Sequence, residues 1–307
     1  MKNLFQSIID DKGIVILDGA MATELESRGA DLNHALWSAK LLKEDPQLIQ
    51  QVHYDYLLAG ADVITTASYQ ASFDGFAKYG YTKQQAIEFM QLSVALAFKA
   101  REESMKILPR KIKPLVAISV GPYGASLADG SEYRGNYGIS VEELKSFHRE
   151  RLKILIETGA DIIACETIPC IDEANALKEL LEESQNVQAW ISFSCKDEMH
   201  ICSGEKFADA IQSISQSKQI IAVGVNCTAP QYIESLIKIA VATTDKLILV
   251  YPNKGEAWDA KNKCWLPTAD HHSHFIDDAK KWYAAGSKII GGCCRTTPDD
   301  IKQLQDL

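Results

Sequence analysis

The chain repeats one pattern in three places: LLAGADVITTAS at 57–68, IETGADIIACET at 156–167 and YAAGSKIIGGCC at 283–294. Each stretch begins like the end of a helix, passes through a glycine and continues into an apolar run typical of a strand. Gly60, Gly159 and Gly286 fit the left-handed conformation that ends a helix, because glycine has no Cβ to clash there. The pattern predicts a helix followed closely by a strand at each place.

Short apolar runs of this kind recur along the whole chain. They lie at 13–19, 61–69, 113–122, 160–167, 187–195, 219–227, 246–253 and 287–294. Segments with helical periodicity separate them, for example the apolar positions Ile49, Val52 and Tyr56. Strands that alternate with helices form parallel sheets through right-handed crossovers. Without a Pro-, Gly- or Ser-rich linker, the pattern predicts an α/β fold, a single (β/α)₈ TIM barrel domain over residues 1–307.

The composition indicates a folded protein that acts on small molecules. Hydrophobic residues make up 46% of the chain, charged residues 24%, and the net charge is −9. Nucleic-acid and anionic membrane surfaces need clustered Lys and Arg, and the sequence has no such run. It has no apolar run of membrane-spanning length and no signal-peptide pattern. We therefore expect a cytoplasmic protein, with no nucleic-acid or membrane partner and with its eight cysteines reduced.

Polar residues close seven of the apolar runs. They are Asp18-Gly19, Thr65 to Tyr69, Gly121 to Tyr123, Glu166-Thr167, Asn226-Cys227, Tyr251 to Asn253 and Cys293-Cys294. One such ending can be ordinary loop sequence, but in a parallel barrel all of them face the same mouth, where active sites form. The two longest segments outside the repeat, 21–44 and 123–138, also follow strands. The sequence therefore predicts a site at the C-terminal face of the barrel.

The most specific local signal is Gly291-Gly292-Cys293-Cys294-Arg295-Thr296-Thr297-Pro298. Adjacent strand residues point to opposite faces, so two neighbouring thiols can meet one metal only where the chain leaves regular strand geometry. We expect the two glycines to permit that departure. Thr297 is typical of a helix N-cap and Pro298 of the first helical position. The cysteine pair is thus predicted where the last barrel strand ends and a helix begins.

A catalytic zinc usually has three protein ligands and one open position. Cys227 is the best candidate for the third ligand, because it ends the sixth strand and alternate strands contribute to the same layers of a barrel. Its distance in sequence from Cys293 excludes a zinc-finger loop. Spacing alone leaves two alternatives open, namely buried thiols and a disulfide between Cys293 and Cys294.

The remaining cysteines and a histidine run are expected to be structural. Cys165 precedes Glu166 in a strand, so it should face the surrounding helices if Glu166 faces the mouth. Loops are predicted for Cys170 and Cys264, and Cys195 and Cys202 have no neighbouring thiol with ligand-like spacing. We expect the histidines of the run, His271, His272 and His274, to cap or begin a helix rather than bind zinc.

These motifs resemble the homocysteine S-methyltransferase family, in particular its branch that uses S-methylmethionine. The matching stretches extend over the whole chain, at 17–26, 36–40, 119–125, 128–135, 164–167, 225–227 and 291–298. The strand that ends in Asn226-Cys227, together with the later Gly-Gly-Cys-Cys, is the most specific part of the resemblance.

The resemblance implies a (β/α)₈ barrel in which Cys227, Cys293 and Cys294 hold Zn²⁺, with an open position for the homocysteine sulfur. It also implies that Asp18, with the backbone amides from Gly19, binds the amino-acid part of homocysteine. Glu166 matches the acid that meets the homocysteine ammonium. Asn226 is placed among the substrate-binding residues.

The resemblance favours S-methylmethionine as the methyl donor, S-adenosylmethionine as a slower substitute and betaine as the least suitable. Zinc would present homocysteine as a thiolate, and its attack on a sulfonium methyl cancels opposite charges and gives methionine. The donor cation needs aromatic or acidic neighbours. Trp37 and Tyr69 are the candidates, with ordinary packing as the alternative, and Tyr133 and Tyr251 are weaker ones.

Two other functions are weighed against this one. Cys293 and Cys294 could form a redox dithiol, or the barrel could hold a structural zinc with four protein ligands. The chain has no nucleotide-binding glycine motif and no room for a cobalamin domain, so the sequence suggests no organic cofactor and no cobalamin.

Overall fold

The computed structural model describes residues 3–32, 36–184, 186–255, 257–259, 264–266 and 275–307. Of Trp37 and of residues 257–259 and 264–266, the backbone alone is described. His271, His272 and His274 lie outside the described residues, so their expected role stays a prediction.

Eight strands pair in parallel and form the barrel. They are β1 (Val15–Ile16), β2 (Val63–Thr65), β3 (Leu115–Val120), β4 (Ile162–Ile168), β5 (Ala189–Phe193), β6 (Ile220–Asn226), β7 (Leu247–Tyr251) and β10 (Ile289–Ile290). Their order is β1-β10-β7-β6-β5-β4-β3-β2. Leu17 also pairs in parallel with Val63, so the two outer strands meet and close the sheet. The predicted (β/α)₈ barrel is confirmed.

Helices follow the barrel strands. The helices of the described ranges are α1 (Gln6–Lys12), α2 (Met21–Ser27), α3 (Leu41–Glu44), α4 (Pro46–Ala59), α5 (Phe73–Ala77), α6 (Lys83–Ile107), α7 (Tyr123–Leu127), α8 (Val141–Glu157), α9 (Ile171–Glu182), α10 (Phe207–Ile214), α11 (Pro230–Thr243), α12 (Phe275–Ala285) and α13 (Pro298–Gln303). Short 3₁₀ helices cover Trp37–Lys40, Ser131–Tyr133 and Leu304–Asp306. Within the residues described, no helix combines the length and apolarity needed to cross a membrane.

The glycines of the repeat have the conformation that the sequence predicts. The φ angles of Gly60, Gly159 and Gly286 are 109°, 77° and 119°, in the left-handed region. Each lies just after a helix and before a strand. Thr297 likewise caps α13, since its side chain accepts a hydrogen bond from the Asp300 amide and Pro298 is the first helical residue. The β10–α13 junction therefore has the predicted local structure.

The core has two layers. Alternate residues of the strands fill the barrel interior, and Phe5 and Ile8 of the N-terminal segment pack against the same cluster. The Phe5 ring lies 6.2 Å from that of the interior Trp190. The other strand residues, Cys165 among them, pack between the sheet and the helices. This alternation is why Cys165 faces outward and Glu166 inward.

The structure corrects the sequence analysis between β7 and α12. There, β8 (Ala257–Asp259) and β9 (Cys264–Leu266) form an antiparallel pair. The loop predicted for Cys264 is therefore wrong, because this residue begins a strand. Three-residue strands are too short for their alternation to stand out in a sequence. Cys170, as expected, lies outside the helices and directly precedes α9.

Candidate active site at the mouth of the barrel

A pocket opens at the C-terminal ends of the strands. Its lining comes from the loops and strand ends that follow β1, β2, β3, β4, β6, β7 and β10. All the predicted site residues with described side chains line it: Asp18, Gly19, Tyr69, Glu166, Asn226, Cys227, Cys293 and Cys294. The side chain of Trp37 is outside the described part of the chain, so its role stays a prediction.

Three cysteines meet on one side of the pocket. The Sγ atoms of Cys227, Cys293 and Cys294 lie within 4.8 Å of one another. Cys227 has a φ of 45°, a left-handed conformation that is costly for a residue with a Cβ. Its amide donates to the Tyr251 carbonyl, and the amide of Cys293 donates to the Pro252 carbonyl at 2.8 Å. Both strand ends are therefore tied to the end of β7, which brings the cysteines together.

The two glycines before the cysteine pair act differently from the prediction. Neither Gly291 nor Gly292 has a positive φ. A Cβ on Gly291 would lie 2.5 Å from the Cβ of Leu17, and one on Gly292 would lie 2.2 Å from the Thr296 hydroxyl. Close packing against the end of β1 and the next turn, rather than an unusual backbone conformation, requires glycine here.

A disulfide joins Cys227 to Cys293, and Cys294 is not part of a disulfide. The expectation that every cysteine is reduced is therefore wrong for this structure, and the pairing differs from the alternative bond between Cys293 and Cys294. The fold places the Cα atoms of the joined residues 5.5 Å apart, a usual separation for a disulfide. Sulfurs close enough to share a metal are also close enough to be oxidised. Burial raises the pKa of Cys294 to about 12.

Asp18 is a buried carboxylate at the end of β1. Its Oδ2 accepts a hydrogen bond of 2.7 Å from the Thr65 amide, and the Thr65 hydroxyl lies 3.1 Å from the same atom. Burial raises the pKa of Asp18 to about 8, and the nearby charge of Glu166 adds to the rise. A cationic ligand in this pocket would favour the ionised form.

Glu166 is the second buried carboxylate, near the end of β4. The Ser119 hydroxyl donates to its Oε1. Burial raises the pKa of Glu166, while the hydroxyls of Ser119 and Tyr251 oppose this rise. Two acids with raised pKa values in one pocket are typical of a site that binds a cation or moves a proton.

The side-chain amide of Asn226 is hydrogen-bonded to neighbouring residues of the barrel. Its Oδ1 accepts from the Thr167 amide at 2.7 Å and from the Ser192 hydroxyl at 2.8 Å, and its Nδ2 donates to the Thr167 hydroxyl at 2.8 Å. Thr167 has a φ of 61°, so these bonds hold a strained turn directly after Glu166. The geometry indicates a positioning role for Asn226.

Tyr69 and Tyr133 line the pocket together with Cys294, and we call these two tyrosines the aromatic wall. The ring of Tyr69 covers Gly121, where a Cβ would lie 2.7 Å from the ring. Tyr251, the other weaker candidate, also lines the pocket but is held in the barrel. Its hydroxyl accepts from the Trp190 indole at 3.0 Å and lies 2.6 Å from the Ser192 hydroxyl.

Sequence reasoning missed the polar residues that support the acids. Thr65, Ser119 and Thr167 line the pocket, and the hydrogen bonds above bind them to Asp18, Glu166 and Asn226. The strand-end pattern included Thr65 and Thr167, but it gave no reason to pair them with a particular acid. Thr65 and Ser119 lie on strands next to those that carry Asp18 and Glu166, whereas Thr167 of β4 and Asn226 of β6 are separated by β5. Only the barrel register brings these partners together.

Comparison with known proteins identifies the family. The family model described as homocysteine S-methyltransferase matches residues 15–307. The chain belongs to the homocysteine S-methyltransferase family. It is therefore a methyltransferase, and its relatives include homocysteine S-methyltransferase YbgG of Bacillus subtilis (strain 168), 50% identical over 98% of this chain and 96% of that protein.

Solved structures agree with this family assignment. The homocysteine methyltransferase MmuM from Escherichia coli in its metallated form is 43% identical, with a TM-score of 0.89 over 99% of both chains. The oxidized form of MmuM is 44% identical, with a TM-score of 0.91 and the same coverage. The barrel is thus shared along its whole length with an enzyme that was solved both with metal and oxidized.

Proposed function

We propose that this protein transfers the methyl group of S-methylmethionine to homocysteine, using a zinc ion held by Cys227, Cys293 and Cys294. The observation that carries the proposal is the shared pocket: three sulfurs within 4.8 Å of one another beside two buried carboxylates, Asp18 and Glu166. S-adenosylmethionine is proposed as a slower donor and betaine as the least suitable.

The donor set fits zinc. Three thiolates with an open fourth position are typical of catalytic zinc, and Zn–S bonds of about 2.3 Å put ligand sulfurs about 3.8 Å apart. The three sulfurs here lie within 4.8 Å of one another, so they are near enough to share one zinc ion. The ligands must be deprotonated thiolates, so the metal-holding form needs the Cys227–Cys293 bond reduced. When bound, zinc would supply a homocysteine thiolate at neutral pH, where a free thiol is mostly protonated.

Asp18 and Glu166 would bind the ammonium group of homocysteine. Both lie in the pocket with the cysteines, and both have hydrogen-bond donors that fix the carboxylates in place. Fixing the amino-acid end places the sulfur end near the cysteines, which lowers the entropic barrier to reaction. Asn226 would keep Glu166 aligned by holding the Thr167 turn.

The methyl donor would lie against the aromatic wall, Tyr69 and Tyr133, with Trp37 as a further candidate. Aromatic faces attract a sulfonium cation. The homocysteine sulfur forms a bond to the methyl carbon, and the bond from that carbon to the donor sulfur breaks, leaving its electron pair on the donor sulfur. With S-methylmethionine, both products are methionine. Direct transfer needs no methyl carrier, so we propose that cobalamin takes no part.

The test is a methionine-formation assay with reduced, zinc-loaded protein, homocysteine and each donor in turn. We expect the highest kcat/KM with S-methylmethionine and loss of activity when a chelator removes the metal. The matched control restores zinc after chelation and should recover the activity. A higher kcat/KM with betaine would overturn the donor assignment, and full activity without metal would overturn the role of zinc.

A further inference from the structure

Glu132 is a buried acid that the mechanism above does not use. It lies in the 3₁₀ helix Ser131–Tyr133 and is only 8% exposed. Its Oε2 atom is buried and has no hydrogen-bond partner among the described residues. An unsatisfied buried carboxylate oxygen costs free energy, so it calls for an explanation in terms of a ligand or a charge nearby.

The surroundings of Glu132 are those of the donor side of the pocket. Glu132 directly precedes Tyr133, and burial followed by the charge of Glu132 are the largest causes that raise the pKa of Tyr69. The same charge raises the pKa values of Tyr133 and Cys294. Glu132 is thus joined through the backbone to one residue of the aromatic wall, Tyr133, which lines the pocket together with Tyr69 and Cys294.

Neighbouring charges do not neutralise Glu132. The Arg134 guanidinium is 61% exposed and lies 3.4 Å from the carboxylate of Asp129 and 2.8 Å from the Ser131 hydroxyl. Burial raises the pKa of Glu132 to about 7, and Asp129 raises it further while Arg134 lowers it. A cation placed at the aromatic wall would favour the ionised form of Glu132.

We propose that Glu132 is a specificity-determining residue for the methyl donor, placing negative charge behind the Tyr69–Tyr133 wall where the sulfonium group binds. This inference rests on the proposed function. Charge interactions act over several ångströms in a buried site, so Glu132 stabilises the cation without direct contact. Asp18 and Glu166, by contrast, serve the homocysteine ammonium.

The assignment has a consequence for turnover. The donor carries a positive sulfur, whereas the methionine left after transfer has a neutral one. The charge of Glu132 therefore stabilises bound donor more than bound methionine, which has the same head group. This difference promotes replacement of the product by a new donor molecule.

Glu132→Gln tests the inference, because it keeps the shape of the side chain and removes its charge. At saturating homocysteine, we expect the KM for S-methylmethionine to rise about tenfold, the effect of losing one charge interaction at several ångströms in a partly buried site. The inhibition constant of methionine against the donor should stay unchanged, as should the KM for homocysteine and the zinc content. Glu198→Gln is the matched control, since it makes the same substitution at an exposed acid and should leave all four values unchanged.

Other outcomes overturn the inference. An unchanged donor KM would remove Glu132 from donor recognition, and equal weakening of donor and methionine would assign it to the shared head group or to folding. The melting temperature separates folding from recognition, because loss of an unsatisfied buried charge should not lower it. A wild-type protein that uses no sulfonium donor contradicts the proposed function itself, whereas an active wild type with an unaffected variant contradicts only the role of Glu132.

Discussion

Asp18 shows how a single residue of this barrel is prepared for a charged ligand. Its carboxylate accepts hydrogen bonds from Thr65, yet burial raises its pKa to about 8. At pH 7 the carboxyl group of the ligand-free protein therefore holds its proton most of the time. An ammonium group close by favours the carboxylate, so binding of homocysteine should expel that proton.

Asp18→Asn tests this coupling. At pH 7 we expect the wild type to release more protons than the variant when homocysteine binds, because Asn has no proton to lose. The difference should vanish as the pH rises above about 8, where Asp18 is already ionised. Calorimetric titration in two buffers with different heats of ionisation measures the release. The substrate thiol loses its proton in both proteins, so this release cancels in the comparison. Equal total release at pH 7 would therefore contradict the role of Asp18.

The positions of residues at strand ends could be predicted from the sequence where those positions depend on the fold alone. Asp18, Glu166 and the three cysteines follow apolar strands, and parallel strands bring their C-terminal ends to one mouth. Glu132 lies within the matching stretch 128–135, but the sequence indicates no role for it, since its burial depends on how the loop after β3 folds. The disulfide between Cys227 and Cys293 was not predictable either, because sequence spacing does not give a distance between sulfurs.

At the scale of elements, α9 holds the loop after β3, which carries Tyr133 of the pocket lining. Glu173, in the first turn of α9, accepts a hydrogen bond of 2.5 Å from the Tyr123 amide and one of 3.1 Å from the Tyr137 hydroxyl. The His148 Nε2 atom of α8 lies 2.8 Å from the same carboxylate. The segment between these two tyrosines contains Tyr133. One buried acid thus fastens both ends of the loop after β3.

Glu173→Ala should loosen this loop while leaving the metal ligands in place. We expect a higher KM for S-methylmethionine, little change in the KM for homocysteine or in zinc content, and a loss of about 3 kcal/mol in the free energy of unfolding from the groups left unpaired. Glu173→Gln, which still offers an acceptor, should recover part of the donor KM. Equal effects on both substrates, or no recovery with Gln, would show a general structural role.

The barrel strands were predictable in number and order, but their lengths were less predictable. All eight barrel strands occur where the sequence places them, but β1 and β10 have only two residues each. Apolar runs extend beyond the paired residues because the barrel buries the flanking side chains as well. The β8–β9 pair lies in the connection between β7 and α12, outside the barrel. No sequence repeat marks that connection.

At the scale of the whole molecule, closure of the barrel creates the candidate metal site. Cys227 and Cys293 are 66 residues apart in sequence. They meet because β6 and β10 both pair with β7, so that their ends flank the end of β7. The alternation of eight apolar runs with helical segments, with cysteines at the ends of the sixth and eighth runs, was sufficient to predict this arrangement. It was not sufficient to predict the oxidation state of the cluster, which depends on the redox conditions as well as on the fold.

The most direct test of the central claim is zinc K-edge X-ray absorption of the reduced, zinc-loaded protein before and after homocysteine is added. We predict three sulfur ligands and one oxygen or nitrogen ligand before addition, and four sulfur ligands afterwards. Four protein ligands that do not change with homocysteine would indicate a structural zinc. A reduced protein that takes up no zinc at this cluster would contradict the account altogether.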